Sequence, residues 1–249
     1  MIHIRSNKEI DLLRTSAHIV AQSLDMIKKH VAPGVSTQEL DAIIEDFIRS
    51  HNARPAFKGF NGFPASSCIS IDDQVVHGIP GNRVLKEGEI ISIDIGVELN
   101  GYYGDAAKTF PVGVISEEKQ RLLKVTEESL YIGIEAAQAG NRLSDIGHAI
   151  QTHVEKAGYS VVRDLVGHGI GTEMWEEPQI PNYGEPNQGP RLKSGMVFAI
   201  EPMVNQGTYQ VRTEPDNWTI VTIDGKASAH FEHDIVIQDG KAEILSADL

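Results

Sequence analysis

The stretch Ile90-Ile91-Ser92-Ile93-Asp94-Ile95-Gly96-Val97-Glu98-Leu99-Asn100-Gly101-Tyr102-Tyr103-Gly104-Asp105 decides how this chain folds around its centre. Its first ten residues alternate between apolar and polar, as in a half-buried β-strand. Asn100-Gly101 favours the two positive φ angles of a type I′ turn, which predicts a hairpin with a two-residue loop. In that register Asp105 lies opposite Gly96, on the same face of the sheet as Asp94.

The two aspartates are therefore diagonal neighbours, with backbones about 7–8 Å apart and side chains that can converge. Bringing two anionic groups together on a partly buried face is costly unless a cation lies between them. The hairpin predicts half of a metal site.

The composition limits the classes of protein to consider. The 249 residues carry a net charge of −13, which disfavours a broad nucleic-acid surface. A single cysteine, Cys68, excludes an intrachain disulfide and a cysteine-based zinc site. The N-terminal residues do not resemble a signal peptide, and no apolar run approaches the ~18 residues of a membrane span. We expect a soluble, cytoplasmic protein with no membrane partner.

Helical periodicity and capping signals predict four helices. The first begins at the capping box Ser6-x-x-Glu9 and runs to Pro33-Gly34, and the second begins at Ser36-x-x-Glu39. The third and fourth span about 116–140 and 144–158. Strands are predicted around residues 68–71, 75–77, 90–110, 161–166, 196–204, 211–213, 218–223 and 229–237.

The order helix, helix, strands occurs twice. Gly34, Leu40, Ile44 and Ile48 match Gly140, Ile146, Ile150 and Val154 at an offset of 106. Leu85-Lys86-x-Gly88 with Ile93-Asp94 matches Leu192-Lys193-x-Gly195 with Ile200-Glu201 at an offset of 107. A duplicated half-domain would bring Asp94 and Glu201 to one central site. Chance similarity between two amphipathic segments remains the alternative.

Five side chains form the candidate ligand set: Asp94, Asp105, His168, Glu201 and Glu232. The glycines beside His168 allow backbone to approach its ring closely. Alternation in the segment around Glu232 places residues 230, 232 and 234 on one face. Four carboxylates and one imidazole suit Mn²⁺, Fe²⁺, Co²⁺ or Zn²⁺, often in pairs that catalyse hydrolysis. Each residue alone would be an ordinary strand or turn residue, so the prediction depends on their joint placement.

Six motifs, in this order and at these spacings, make the chain recognisable: His77-Gly78-Ile79-Pro80, Ser92-Ile93-Asp94-Ile95-Gly96, Gly101-Tyr102-Tyr103-Gly104-Asp105, Gly167-His168-Gly169-Ile170-Gly171, Ile200-Glu201-Pro202-Met203-Val204 and Phe231-Glu232-His233. Over essentially its whole length the chain closely resembles the type I methionine aminopeptidases. The resemblance implies an α+β pita-bread fold, a pseudo-twofold repeat of helix-helix-strands around a curved antiparallel sheet. It also implies a single catalytic domain over residues 1–249, with half-repeats of about 1–110 and 111–249.

The resemblance further implies a dinuclear site. Asp94 and Asp105 would bind one divalent ion, and Asp105 and Glu232 would bridge to a second ion held by His168 and Glu201. A bridging hydroxide would attack the carbonyl of the first residue. The ions could be Co²⁺, Mn²⁺, Fe²⁺ or Zn²⁺.

By the same resemblance Glu201 would carry the proton from the nucleophile to the departing amine, and His77 would contact the substrate. His77 considered alone would be an ordinary turn histidine. The positions that match the family's methionine pocket are Phe57, Phe60, Phe63, Cys68, Met174 and Trp218. Without the resemblance, the three phenylalanines would be assigned to the core. An unbranched thioether suits an aromatic lining.

One position departs from the family pattern. Trp175 stands immediately before Glu176-Glu177-Pro178, where the family places a second histidine that helps orient the substrate. An indole donates one hydrogen bond but cannot accept one or carry a proton. An inward-pointing Trp175 would lower turnover by about 10²–10⁴ or narrow the pocket. The candidate substitutes are His148, His153, His230 and His233.

Three functions stay open on the sequence alone. The first is a metal-dependent aminopeptidase that removes initiator methionine from the N-termini of nascent polypeptides, at the ribosome, as a monomer. The second is a paralogue whose Trp175 lowers its turnover or alters its specificity. The third is a non-catalytic peptide-binding member, which the intact set of buried acidic ligands disfavours.

Overall fold

The computed structural model describes residues 1–247. Within these residues four α-helices, one 3₁₀ helix (Phe60–Gly62) and fifteen strands form an α+β fold. The helices are α1 (Asn7–Lys28), α2 (Thr37–Ser50), α3 (Glu117–Ala136) and α4 (Leu143–Lys156). The capping boxes predicted for α1 and α2 are both present.

The strands are β1 (Arg54–Pro55), β2 (Cys68–Ile71), β3 (Gln74–Val76), β4 (Ile90–Leu99), β5 (Tyr102–Pro111), β6 (Ser160–Val161), β7 (Gly167–Gly169), β8 (Glu176–Ile180), β9 (Val197–Ile200), β10 (Met203–Asn205), β11 (Val211–Thr213), β12 (Ile220–Thr222), β13 (Ser228–His230), β14 (His233–Val236) and β15 (Glu243–Ile244). They form four sheets. The first has the order β1-β4-β2, with β5 also paired to β4, and the largest has the order β15-β14-β9-β7-β8. The other two have the orders β13-β10-β6 and β11-β12-β3.

The predicted hairpin is confirmed. Strands β4 and β5 pair antiparallel from Ile90↔Pro111 to Leu99↔Tyr102. Asn100 and Gly101 have φ angles of 55° and 81°, as a type I′ turn requires. Asp105 lies opposite Gly96, as predicted.

Two predicted strands are in fact broken, and others are shorter than predicted. The strand predicted over 196–204 is divided into β9 and β10 at Glu201-Pro202, because proline has no N–H to donate to a sheet. The strand predicted over 229–237 is divided into β13 and β14 at Phe231-Glu232. The strand predicted over 161–166 is only β6, and α1 ends at Lys28 rather than at Pro33. Strands β1, β7, β8 and β15 were not predicted.

The sequence repeat has a counterpart in backbone hydrogen bonds. Gly34 N donates to Leu85 O, and Gly140 N donates to Leu192 O, each at 2.9 Å. Isolated β-bridges join Ser36 to Val84 and Arg142 to Arg191, at the same offsets of 106 and 107. In each half, two helices pack against the strands next to the acids. The two halves have separate apolar cores. The half-repeat boundaries and the single-domain assignment remain predictions.

Among the helices of residues 1–247, none combines the length and apolar character needed to cross a membrane.

Candidate metal centre and substrate cleft

The fold brings the five predicted ligands to one cavity, although they come from four different parts of the chain. Asp94 and Asp105 lie on the two strands of the β4–β5 hairpin, and His168 is the central residue of β7. Glu201 and Glu232 lie at the two strand breaks, β9–β10 and β13–β14. Both glutamates therefore lie outside regular strands, close to the β4–β5 hairpin.

The imidazole of His168 faces the acids. Its Nε2 lies 3.7 Å from Glu201 Oε1 and 3.9 Å from Asp105 Oδ2. Its Nδ1 lies 3.0 Å from the carbonyl oxygen of Gly169, so Nδ1–H donates there. Nε2 therefore keeps its lone pair for a cation, as in many metal-bound histidines. One donor atom each from Asp105, His168 and Glu232 lie within 4.8 Å of one another.

The glycines beside His168 have the predicted role of admitting neighbouring backbone. A Cβ atom on Gly167 would lie 2.4 Å from Ala199 O, and one on Gly169 would lie 2.4 Å from Glu177 O. Such distances are too short for any side chain, so only glycine lets β7 fit between β8 and β9. The close fit fixes the position of His168.

Asp105 is positioned by contacts on both sides of its strand. A Cβ on the preceding Gly104 would lie 2.4 Å from Ala17 N, so α1 packs directly on the backbone there. The backbone N of Asp105 donates to Asp234 Oδ2 at 2.7 Å. Asp234 is buried and was not predicted as a site residue. The signal in the sequence was the alternating pattern that places Asp234 on the same face as His230 and Glu232.

Burial dominates the electrostatics of the cluster. It raises the pKa of Asp94 and of Glu201 to about 7, and it raises the pKa of Asp105 and Glu232 well above the usual carboxyl range. Repulsion among the carboxylates adds to the shifts in Asp105 and Glu232. Asp94 Oδ1, Asp105 Oδ1 and Glu232 Oε1 are buried without a hydrogen-bond partner among the described residues. Converging, unpartnered carboxylate oxygens beside an imidazole fit a divalent cation.

An aromatic pocket adjoins the cluster. Phe57, Phe60, Phe63, Cys68, His77, Trp175 and Trp218 line the same cavity as the acids. Phe63 meets Trp218 edge-on, with ring centroids 5.1 Å apart. Met174 is buried in the same apolar cluster. It packs against Gly96, since a Cβ atom on Gly96 would lie 2.9 Å from the terminal methyl carbon of Met174. Cys68 is paired with Asp94 across β2 and β4, and burial raises the pKa of its thiol well above the usual range. A protonated, buried thiol is a wall of the pocket rather than a nucleophile.

A comparison with known protein families agrees with the order of the motifs. The model of metallopeptidase family M24 matches residues 11–239. The chain belongs to metallopeptidase family M24. It is 57% identical to methionine aminopeptidase 1 of Bacillus subtilis over 246 residues, which cover 99% of each chain. It is 56% identical to a methionine aminopeptidase of Clostridium acetobutylicum, again over 99% of each chain. The crystal structure of methionine aminopeptidase from Rickettsia prowazekii superposes with a TM-score of 0.98 at 43% identity, covering 99% of this chain and 100% of that one.

Membership in M24 confirms the predicted fold and the predicted class of enzyme, a metal-dependent peptidase. The family implies binding of divalent metal, and the clustered carboxylates and imidazole of this chain suit it. The number and identity of the ions are part of the proposal below.

In this M24 chain Trp175 lies at the cleft, which answers a question left open by the sequence. Its side chain lines the cavity and is 44% exposed. Its ring meets Phe60 edge-on at 4.9 Å and lies 6.3 Å from the ring of His168. The indole therefore spans the gap between the aromatic pocket and the ligand cluster.

Among the histidines considered as substitutes for the absent one, His230 alone contacts the ligand cluster. His148 Nδ1 is 3.0 Å from Gly184 O, His153 Nε2 is 3.3 Å from Glu128 Oε2, and His233 Nδ1 is 2.9 Å from Ser246 Oγ. His230 Nε2, in contrast, lies 3.4 Å from Glu201 Oε2. Burial lowers the pKa of His230 to about 4, so its imidazole is neutral at pH 7.

His77 lies at the rim of the cavity, at the end of β3. Its φ angle of 58° is unusual for a residue other than glycine and marks a position held by its surroundings. Burial lowers its pKa to about 4, which keeps the imidazole neutral. A neutral imidazole in this cleft can donate to or accept from a peptide group.

Proposed function

We propose that this M24 peptidase removes methionine from the N-termini of polypeptides by hydrolysis of the first peptide bond. The observation that carries the proposal is the convergence of the complete ligand set and an aromatic pocket on one cavity. The relatives at 57% and 56% identity are named methionine aminopeptidases, which supports the same substrate.

The proposed centre holds two divalent ions. Asp94 and Asp105 would hold one, His168 and Glu201 would hold the other, and Asp105 and Glu232 would be shared. Divalent ions here would polarise the first peptide carbonyl and lower the pKa of a water nucleophile. The donor set is compatible with Co²⁺, Mn²⁺, Fe²⁺ or Zn²⁺.

The protein groups would then orient the peptide and move protons. Glu201, a carboxylate that lines the cavity, would accept a proton from the attacking water and return it to the departing amine. His77 would bind the peptide group at the scissile bond. Both residues line the cavity that holds the aromatic pocket.

The aromatic pocket is proposed to select methionine. Phe57, Phe60 and Phe63 line it on one segment, and Trp218 and Trp175 complete the wall. Contacts between sulfur and aromatic rings add about 0.3–1.5 kcal/mol to the burial of a methionine side chain. A β-branched side chain would fit such a slot less well, because it is wider close to the backbone.

We further propose that nascent chains are the physiological substrate, that the protein acts in the cytoplasm at or near the ribosome, and that it works as a monomer. Newly made N-termini are extended and accessible, as an open cleft requires. The net charge of −13 agrees with a peptide substrate rather than a nucleic acid.

The test is release of free methionine from Met-Ala-initiated peptides after reconstitution with Co²⁺ or Mn²⁺. We expect metal-dependent release, no release from the N-acetylated peptide, and little from a Val-Ala analogue. Absence of release with each of the four candidate metals would refute the function. The non-catalytic alternative would be favoured only by that result together with retained peptide binding.

A further inference from the structure

His230 is the buried imidazole that the five-ligand scheme leaves without a role. It is the last residue of β13, it is 1% exposed, and its Nε2 has no hydrogen-bond partner within the described part of the chain. An unpaired polar atom in a protein interior is costly unless a partner arrives later.

The backbone of His230 is held rigidly. Thr109 Oγ1 donates to His230 O at 2.8 Å and accepts from His230 N at 2.9 Å. The hydroxyl of Ser92 lies 2.9 Å from Thr109 Oγ1 and donates to it, because the Thr109 proton is already used. On the other side His230 pairs with Met203, two residues after Glu201. These contacts fix the direction of the imidazole toward the acids.

We propose that His230 is a sixth metal-binding side chain, a second imidazole that binds divalent metal together with Glu201 and Glu232. The proposal rests on the divalent-metal part of the function above and adds a residue to it.

The distances around Glu201 support this assignment. The two oxygens of its carboxylate face different imidazoles: Oε1 lies 3.7 Å from His168 Nε2, and Oε2 lies 3.4 Å from His230 Nε2. Donor atoms that share one ion stand roughly 3–3.5 Å apart, because each lies about 2.0–2.2 Å from it. The contact between His230 and Glu201 has this spacing and is not a hydrogen bond.

Glu232 completes the new set. One donor atom each from Glu201, His230 and Glu232 lie within 4.8 Å of one another, the same limit that groups Asp105, His168 and Glu232. Glu232 Oε1 is also buried without a hydrogen-bond partner among residues 1–247. The two triads share Glu232, so a second imidazole extends the same centre.

The test counts imidazole ligands directly, without any peptide cleavage. In Co²⁺-loaded protein, each metal-bound histidine gives one paramagnetically shifted ¹H NMR signal from its remaining ring N–H, which disappears in D₂O. We expect two such signals in the wild type and one in His230→Gln. The variant His168→Gln should also give one shifted signal. The matched control is His233→Gln, whose imidazole contacts Ser246 and Tyr131 instead, and it should leave two.

Calorimetric titration with Co²⁺ provides the second measurement. We expect the Co²⁺ dissociation constant to rise at least tenfold in His230→Gln and to stay within twofold in His233→Gln. A single shifted N–H signal in the wild type would overturn the proposal. This measurement needs no variant, so the proposal is tested even if a variant fails to fold. A weaker affinity with the number of signals unchanged would also overturn it, because His230 would then act only by positioning Glu201.

Discussion

At the scale of single residues, His77 is the side chain that we propose contacts the peptide but does not bind metal. Its φ of 58° lies in the left-handed region, which asparagine tolerates better than most residues. His77→Asn should therefore fold normally and retain Co²⁺ affinity. We expect kcat for Met-Ala peptides to fall about 10²-fold or more, the usual cost of losing a positioned acid–base group.

Steady-state kinetics and calorimetry on the same samples separate these effects. His148→Asn is the control, since that imidazole contacts Gly184 O rather than the cleft, and its kcat should be unchanged. A parallel loss of Co²⁺ affinity in His77→Asn would show that His77 belongs to the metal site instead.

Trp175 is the residue at which this chain departs from the pattern it resembles. Its edge contact with Phe60 makes it a wall of the aromatic pocket that we propose binds methionine. A contact between the substrate's sulfur and an aromatic ring contributes about 0.3–1.5 kcal/mol, so Trp175→Ala should raise KM for Met-Ala peptides roughly two- to tenfold, with Co²⁺ affinity unchanged.

Tyr209→Ala is the matched control, because Tyr209 is similarly exposed and stacks on Arg163 outside the cavity. Its KM should stay at the wild-type value. An unchanged KM in Trp175→Ala would remove the indole from the pocket wall. A rise in kcat in Trp175→His would show that the indole limits turnover, the outcome expected of a low-activity paralogue.

At the scale of elements, α2 holds the loop that carries the aromatic pocket. Asp41 accepts from Ser66 N at 3.1 Å and from Ser67 N at 2.8 Å. One turn later Glu45 accepts from Ser66 Oγ at 2.8 Å and from Lys58 Nζ at 2.6 Å. These bonds tie the segment 57–67 to a rigid helix, which gives the pocket a fixed shape.

Glu45→Gln should loosen that loop. The hydrogen bond from Lys58 is the largest cause that lowers the pKa of Glu45 to about 2, below its ordinary value near 4.5. A lowered pKa in the folded state means that the carboxylate stabilises the fold above about pH 4.5 and loses this effect as the pH falls toward 2. We expect a higher KM at pH 7 and a lower Tm, with the Tm difference from wild type shrinking by pH 2–3.

Thermal melts at several pH values and KM at pH 7 provide the check. Asp46→Asn, an exposed acid on the same helix, is the control for the loss of charge alone. If the Tm difference in Glu45→Gln stayed constant down to pH 2, the ion pair with Lys58 would not be its cause.

The elements also show what local sequence can predict. The β4–β5 hairpin was predicted residue by residue, because a two-residue turn fixes its register locally. Pro202 indicates that the strand leaves the sheet after Glu201. The strand break at Glu232 was not predicted, since the alternating pattern continues across it. Strands β7 and β8 were missed because their glycine-rich and polar residues have low strand propensity. They form only because β7 pairs with β9 on one side and with β8 on the other.

The site was predicted to a similar degree. The five ligands were found because each stands in a motif, whereas the contact between His230 and Glu201 depends on the pairing of β10 with β13. Such a pairing of distant segments leaves no trace in the spacing of residues. Alternation placed His230 on the face of Glu232, yet only the folded chain shows which carboxylate it meets.

At the scale of the whole molecule, two halves with matching helices and hydrogen bonds enclose one acidic centre. Asp94 from the first half and Glu201 from the second both lie in that cavity, as the repeat predicted. Neither half contains the whole ligand set. The centre therefore couples the two halves, and its charge should influence the stability of the complete fold.

Metal removal should destabilise the whole protein, and more strongly as the pH rises. In the metal-free protein, burial raises the pKa of Asp94 and of Glu201 to about 7, above the value of an unfolded carboxyl. The metal-free fold is thus favoured while these groups are protonated, and it loses that advantage as the pH rises from about 4 toward 7. Bound cations offset the charge, so the Tm difference between Co²⁺-loaded and chelated protein should widen from pH 5 to pH 8.

Ligand at a hundred times its dissociation constant adds about 2.7 kcal/mol, which for a chain of this size corresponds to a Tm increase of roughly 5–10 °C. Calorimetric melts of loaded and EDTA-treated protein at pH 5, 6, 7 and 8 measure this difference. In Asp94→Asn, one buried charge is gone, so the chelated form should melt at or above the wild-type temperature at pH 8 and gain less from Co²⁺. A Tm difference independent of pH would mean that the metal-free fold binds no more protons than the metal-loaded fold, which would refute the raised pKa of Asp94 and Glu201.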